Sequence, residues 1–242
     1  MRADVIDMVR PDFRSFDTRD ALANGLATRV RDVLAEAIAA RGRAVLGVSG
    51  GSTPVAFFRA LSHLDLPWEQ VTIILVDERM VPATHERSNA KLVRDKLLQN
   101  KAESAFFVPM FQGAFDEGDA AHQIETVMKR AKLTEPDFLI LGMGSDGHTA
   151  SFFPGGDHLA DALDPRQTAL VLPMHAEGAG ETRLTMTLPM ILAAKHLALH
   201  IEGKDKREVL DRALADGTQT TDMPIRAVFE NAAIPFVVYW AG

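Results

Sequence analysis

A chain of 242 residues with 47% hydrophobic side chains is long enough to bury a substantial core, as one large domain or two small ones. It contains no cysteine, which excludes disulfides and thiolate chemistry, and no apolar run approaches the roughly 18 residues of a membrane span. The formal net charge is −7 with basic residues spread along the chain, which argues against nucleic-acid binding and means that an anion site must gather its cations locally.

The opening stretch MRADVIDMVR carries acids and no long apolar segment, so it predicts no secretory leader and a soluble, cytoplasmic protein. Residues 17 to 41 predict a long helix, with Leu22, Val30, Leu34 and Ile38 at helical spacing and Gly42 as a stop. Ala44 to Val48 then predict a buried strand that runs directly into Ser49, Gly50, Gly51, Ser52, Thr53 and Pro54, and Val55 to Leu61 predict a helix. Thr53 is placed to cap that helix and Pro54 to occupy its first position. A strand, a Gly/Ser/Thr loop and a helix start together offer free backbone N–H groups, hydroxyl donors and a positive helix end to an anion. No Lys follows the glycines, so the pattern is not a P-loop. The plainer alternative is an ordinary strand-to-helix turn; two glycines and three hydroxyls in one loop favour phosphate or another anion.

Val71 to Val76 are nearly all apolar, as in a parallel strand covered on both faces, and end in Asp77, Glu78 and Arg79. Three charges at a buried strand end need a partner or solvent. Residues 80 to 87 predict a loop in which His85 is solvated or, alternatively, lines a site mouth, and Ser88 or Asn89 can cap a helix reaching about Asn100. Ala105 to Pro109 predict a weak strand and Asp116 to Leu133 a helix stopped by Pro136. Asp137 to Leu141 predict another buried strand, followed by glycines at 142, 144 and 147. Asp146 and His148 sit inside that flexible turn, past the carboxyl end of a strand, where open α/β sheets bind ligands. The plainer alternative there is an Asp-Gly turn with a His facing solvent. Thr149 to Ser151 are expected to begin a short helix.

Residues 155 to 166 read as irregular, Thr168 to Met174 as a strand and His175 to Gly180 as a Gly-rich loop with the composition of a mobile segment. Arg183 to Thr187 alternate like a strand, Leu188 to Lys195 continue as a helix, and His196 to Ile201 form a strand. His196 and His200 share one face of it, but with no Cys and no third His nearby they read as no metal site. The helix from Lys204 to Leu214 carries Lys204, Lys206 and Arg207 in its first turn, against the helix dipole. Either an anionic ligand lies close or Asp205 and Glu208 neutralise them in solvent. Pro224 to Asn231 predict a last helix and Pro235 to Trp240 a last strand. Alternation of strands and helices predicts an α/β fold: a three-layer, Rossmann-like, mostly parallel sheet with helices on both faces. Parallel order brings the turns at 49–54, 77–79, 142–148 and 203–206 to one sheet edge, so the expected site binds a phosphorylated small molecule and holds an acid/base pair.

These pieces together resemble the 6-phosphogluconolactonase family. The resemblance rests on SGGSTP at 49–54, on W…VDERMVP…HERSNAKL from 68 to 92, on GMGSDGHTASFFPG at 142–155, on RLTMTLP at 183–189 and on the spacing of Gly203 and Lys206. It covers nearly the whole chain and implies a single domain over residues 1–242. It implies hydrolysis of 6-phospho-D-glucono-1,5-lactone to 6-phosphogluconate, the second step of the oxidative pentose phosphate pathway, with no metal or organic cofactor. Its implied partners are a small phosphorylated sugar lactone and neither nucleic acid nor membrane, in a monomer or small homo-oligomer. Such an acyl transfer to water needs a base, charge stabilisation at the carbonyl oxygen and a later proton for the ring oxygen. An ordinary histidine titrates near ~6.5 and serves both roles around neutral pH. His148 is the implied base, with Asp146 orienting it and Asp77 ordering the water or a sugar hydroxyl. Phosphate binding is implied for Ser49, Gly50, Gly51, Ser52 and Thr53, with charge from Arg79, Arg183 and Lys206. Related sugar-phosphate isomerases and aminosugar-phosphate deaminases typically carry a Glu where this chain has Phe153, and the deaminases tend to have an aromatic at Arg79. The competing readings are an isomerase or deaminase, against which Phe153 speaks, and a non-catalytic sugar-phosphate sensor, against which Asp146 and His148 speak.

Overall fold

The apolar runs pair into one parallel sheet in the structure, a computed structural model that describes residues 11–114 and 116–242. The expectation for the leader, at residues 1–10, lies outside the described residues. The strands are β1 (Asp12–Phe16), β2 (Ala44–Val48), β3 (Val71–Leu75), β4 (Asp77–Arg79), β5 (Phe106–Val108), β6 (Phe138–Leu141), β7 (Val171–Met174), β8 (Arg183–Met186), β9 (Leu197–Glu202) and β10 (Phe236–Ala241). The helices are α1 (Arg19–Arg41), α2 (Val55–Ser62), α3 (Asn89–Lys96), α4 (Glu117–Arg130), α5 (Leu159–Leu163), α6 (Leu188–Leu192), α7 (Lys204–Ala213) and α8 (Ile225–Asn231).

Every residue of β2 and β6 is buried, which is why both are apolar without alternation. Gly47 of β2 leaves room for a neighbour: a Cβ there would lie 3.0 Å from Leu139 Cγ. α1 starts where the Thr18 side chain accepts from the Ala21 N–H at 3.1 Å, a cap worth about 1 kcal/mol. It ends at Gly42, whose φ of 73° takes the left-handed cap conformation. Its buried stripe of Leu22, Leu26, Val30, Val33, Leu34 and Ala37 packs on α2 and on the sheet.

The sheet runs in the order β1-β10-β9-β6-β2-β3-β5, and every pairing is parallel. From β2 the chain moves outward through β3 to β5; it then returns to β6 on the other side of β2 and moves out through β9 to β10. The turns after β2 and β6 therefore leave in opposite directions, and a crevice opens between them.

A second, antiparallel sheet of order β4-β8-β7 stands beside that crevice. Val76 is the hinge between the sheets: its N–H donates to Val48 O in the first, and its carbonyl accepts from Met186 N in the second. Asp77 to Arg79 are thus a strand of their own and not the end of β3, as the sequence suggested. Thr149 to Ser151 begin no helix, because Thr149 and Ser151 direct their hydroxyls to Gly142 O and Asp77 instead. Thr53 does not cap α2: Pro54 is the cap residue and no side chain bonds the helix start. α3 ends at Lys96, and α5 lies within the stretch read as irregular.

Candidate active site

A cavity of about 350 Å³ fills the crevice. Its lining includes Ser49, Gly50, Gly51, Ser52, Thr53, Asp77, Arg79, His148, Arg183 and Lys206, while Asp146 stands directly behind His148. All four turns expected at one sheet edge meet there.

The β2–α2 loop presents main chain. Gly51 has a φ of 90°, open only to glycine without strain. Among the described residues, the N–H groups of Gly50, Gly51, Ser52 and Thr53 donate to no protein acceptor. The Ser49 hydroxyl is otherwise engaged: it donates to Ile140 O at 3.0 Å and accepts from Gly142 N at 3.3 Å, stitching the loop to the end of β6. Four free N–H groups next to the start of α2 form an anion cradle.

Cations converge on the same space. Arg79 and Arg183 are direct partners across the β4–β8 pair. Each guanidinium gives one bond to a carbonyl, Arg79 to Arg87 O and Arg183 to Ala179 O, and each keeps a buried Nε with no partner. No described carboxylate forms an ion pair with Arg79, Arg183 or Lys206. Burial, and then the neighbouring Arg79, push the Arg183 pKa down. Burial also pushes Lys206 down, with Asp146 opposing. Desolvated cations facing one another destabilise an empty site, and a dianion among them relieves that cost. Lys204 and Arg207 do not take part. Lys204 is exposed, and Arg207 pairs with Asp211 at 3.0 Å while its guanidinium lies 4.0 Å over the Phe13 ring.

Asp77 forms part of the wall. Its Oδ2 accepts from Ser151 Oγ at 2.6 Å, and its Oδ1 from Asn89 Nδ2 at 3.3 Å. The adjacent Glu78 points away and holds the start of α3, accepting from the N–H groups of Arg79, Asn89 and Ala90 at 2.7 Å each and from Ser88 Oγ at 3.1 Å. Burial raises the Glu78 pKa, and those backbone bonds restrain the rise.

The β6 turn carries the basic group. His148 Nδ1 lies 2.6 Å from Asp146 Oδ1. With Nδ1–H donated to that carboxylate, Nε2 is the nitrogen left basic. Partial burial works to raise Asp146, but the hydrogen bond and charge of His148 outweigh it and bring the pKa to about 2. Gly144 is required for the pair, because a Cβ there would fall 2.2 Å from His148 Nδ1. The Phe153 ring packs 4.5 Å from the imidazole, and the Arg183 guanidinium lies 5.5 Å over the same ring. Phe153 thus contacts both the base and the Arg183 guanidinium.

Asn89 and Ser151 at the wall, and Phe57, Phe58 and His200 on the apolar side, are lining or supporting residues that the sequence reading did not place in the site. Asn89 lay in plain view within HERSNAKL, but a residue that can cap a helix carries no sign of facing a distant loop. His200 Nε2 lies 3.2 Å from Glu202 Oε1, and His196 turns to Asp137 O at 3.1 Å. Among the described residues no three His, Asp or Glu side chains form a metal-ligand group. His85 is exposed and outside the cavity lining. The loop expected to be mobile is pinned at its start, where His175 bonds Asp157 at 2.7 Å and Glu117 at 2.9 Å.

The family profile described as "Glucosamine-6-phosphate isomerases/6-phosphogluconolactonase" matches residues 17–240. A 6-phosphogluconolactonase of Rhizobium meliloti is 53% identical over 227 residues, covering 93% of this chain and 97% of its own. One of Mesorhizobium japonicum is 51% identical over 231 residues, covering 95% of each. The crystal structure of a 6-phosphogluconolactonase from Shewanella baltica superposes with a TM-score of 0.92 at 37% identity, over 97% of this chain and 99% of that one.

Proposed function

The chain belongs to the family of glucosamine-6-phosphate isomerases and 6-phosphogluconolactonases, and we propose that it hydrolyses 6-phospho-D-glucono-1,5-lactone to 6-phosphogluconate in the cytoplasm, as the second step of the oxidative pentose phosphate pathway. The observation that carries this reading is the His148–Asp146 pair, 2.6 Å apart, at a cavity that also holds four free loop N–H groups and three cations without ion-pair partners among the described residues.

The roles follow from the chemistry. The substrate phosphate sits against the N–H groups of Gly50, Gly51, Ser52 and Thr53, in a loop that the Ser49 hydroxyl ties to β6. Arg79, Arg183 and Lys206 supply charge for the phosphate dianion and for the carbonyl oxygen as it becomes an oxyanion. Asp77 orders the attacking water or a sugar hydroxyl. His148 Nε2 takes a proton from water as its oxygen bonds to C1. The resulting imidazolium, oriented and stabilised by Asp146, then gives that proton to the ring oxygen as the C1–O bond breaks. One histidine thus acts as base and then as acid, and no covalent intermediate is needed.

Isomerase or deaminase chemistry requires a further proton-transfer group at ring opening. Here the side chain packed 4.5 Å from the imidazole is Phe153, which transfers no proton. The test is a direct assay of lactone disappearance, corrected for spontaneous hydrolysis, with glucosamine 6-phosphate as a second substrate. The expected result is lactone turnover well above background and no ammonia from the aminosugar. Background-level lactone hydrolysis overturns the reading.

A further inference from the structure

We propose that Asn89 is a positioning residue for this reaction: it holds the Asp77 carboxylate in place and seats it against the anion loop. The proposal rests on the role of Asp77 given above.

Asn89 is the first residue of α3 and is 2% exposed. Its backbone is fixed, because its N–H donates to Glu78 Oε1 at 2.7 Å. Its side chain has two sides. On one, Nδ2 donates to Asp77 O at 2.9 Å and to Asp77 Oδ1 at 3.3 Å. On the other, the amide lies against Gly50, where a Cβ would come within 1.9 Å of Oδ1 and 2.6 Å of Nδ2. The amide is therefore wedged between the loop that receives the anion and the carboxylate at the cavity wall.

Asp77 is held from the opposite side by Ser151 Oγ at 2.6 Å, and Ser151 lies three residues beyond His148. The carboxylate thus spans the anion loop and the His148 turn through one amide and one hydroxyl. It makes no ion pair within the described residues and is 7% exposed, so these two bonds set its direction. A buried carboxylate held by one donor alone has freedom to turn away from a reacting centre, and small misplacements at such a centre cost large factors in rate. An amide suits this position. An acid would repel Asp77, and a larger side chain would strike Gly50.

The test compares Asp77→Asn, Asn89→Asp and Asn89→Ser with the wild type, each checked for folding by thermal melting. Turnover and 6-phosphogluconate binding are measured from pH 6 to 8. Asp77→Asn is expected to lose turnover. Asn89→Asp keeps the shape but replaces the N–H donors with a carboxylate. Its kcat is expected to fall about tenfold at pH 8, with 6-phosphogluconate affinity within about threefold of the wild type. Two adjacent carboxylates share a proton, so the deficit relative to the wild type should narrow toward pH 6 as the shared proton restores a hydrogen bond. Asn89→Ser removes the same donors without charge and should lose turnover by a factor that does not vary with pH. It carries the test if Asn89→Asp does not fold. Wild-type turnover in either folded Asn89 variant, alongside an inactive Asp77→Asn, overturns the positioning role alone. Wild-type turnover in Asp77→Asn overturns that role together with the assignment of Asp77. Loss of 6-phosphogluconate affinity in step with kcat also overturns it, because Asn89 would then only pack the loop.

Discussion

Lys206 shows how burial tunes one side chain for its task. Its proposed partner is an anion, yet burial pushes its pKa below the ordinary value of 10.5. A lowered lysine pKa means that the free site releases this proton at a lower pH than a solvated lysine does. Affinity for 6-phosphogluconate should therefore be full at neutral pH and decline on the alkaline side before 10.5, by up to about tenfold per pH unit. Calorimetric titration across that range checks this, and Lys206→Arg should hold its affinity to higher pH because a guanidinium stays charged. Identical profiles for the two proteins would remove Lys206 from the anion site. At the same scale, the sequence made His148, Asp146 and the cations legible because residue type and loop position announce their chemistry. Of the three first-turn cations of α7, composition singled out none and only the family resemblance pointed to Lys206; packing decides which of them lines the cavity, and Arg207 lies over Phe13 and Trp240 instead.

Among the elements, the buried parallel strands were legible to within a residue or two, because burial on both faces leaves an unbroken apolar run. β1 was not. It pairs only with β10, at the sheet edge, and DFRSF has the composition of a loop with two phenylalanines. The antiparallel β4–β8 pair was hidden for a different reason. Asp77, Glu78 and Arg79 look like a charged strand end, and only a partner about a hundred residues away makes them a strand. Glu78 shows what this short strand supports. It gathers two backbone N–H groups and the Ser88 hydroxyl at the start of α3, the helix that carries Asn89, together with the N–H of Arg79 in β4. Glu78→Ala leaves buried donors without acceptors. It should cost about 3 kcal/mol, or roughly 6–12 °C in Tm, measurable by calorimetry. A Tm within a degree or two of the wild type would show that water satisfies those donors.

At the level of the whole molecule, the chain has a net charge of −7 and still builds a cationic pocket. The reversal of strand order between β2 and β6 opens the crevice, and the second sheet then brings Arg79 and Arg183 to its side. Among the described residues no helix is long and apolar enough to cross a membrane. In the proposed mechanism two turns divide the work: the one after β2, with its free N–H groups, binds the anion, and the one after β6, with His148 and Asp146, carries out proton transfer. His148→Ala tests that division, through turnover above the spontaneous rate measured alongside 6-phosphogluconate binding. The expected result is a folded protein that binds 6-phosphogluconate as the wild type does and loses on the order of 10²–10⁴-fold in turnover. Near wild-type turnover would contradict it and leave Asp77 or Asp146 as the base.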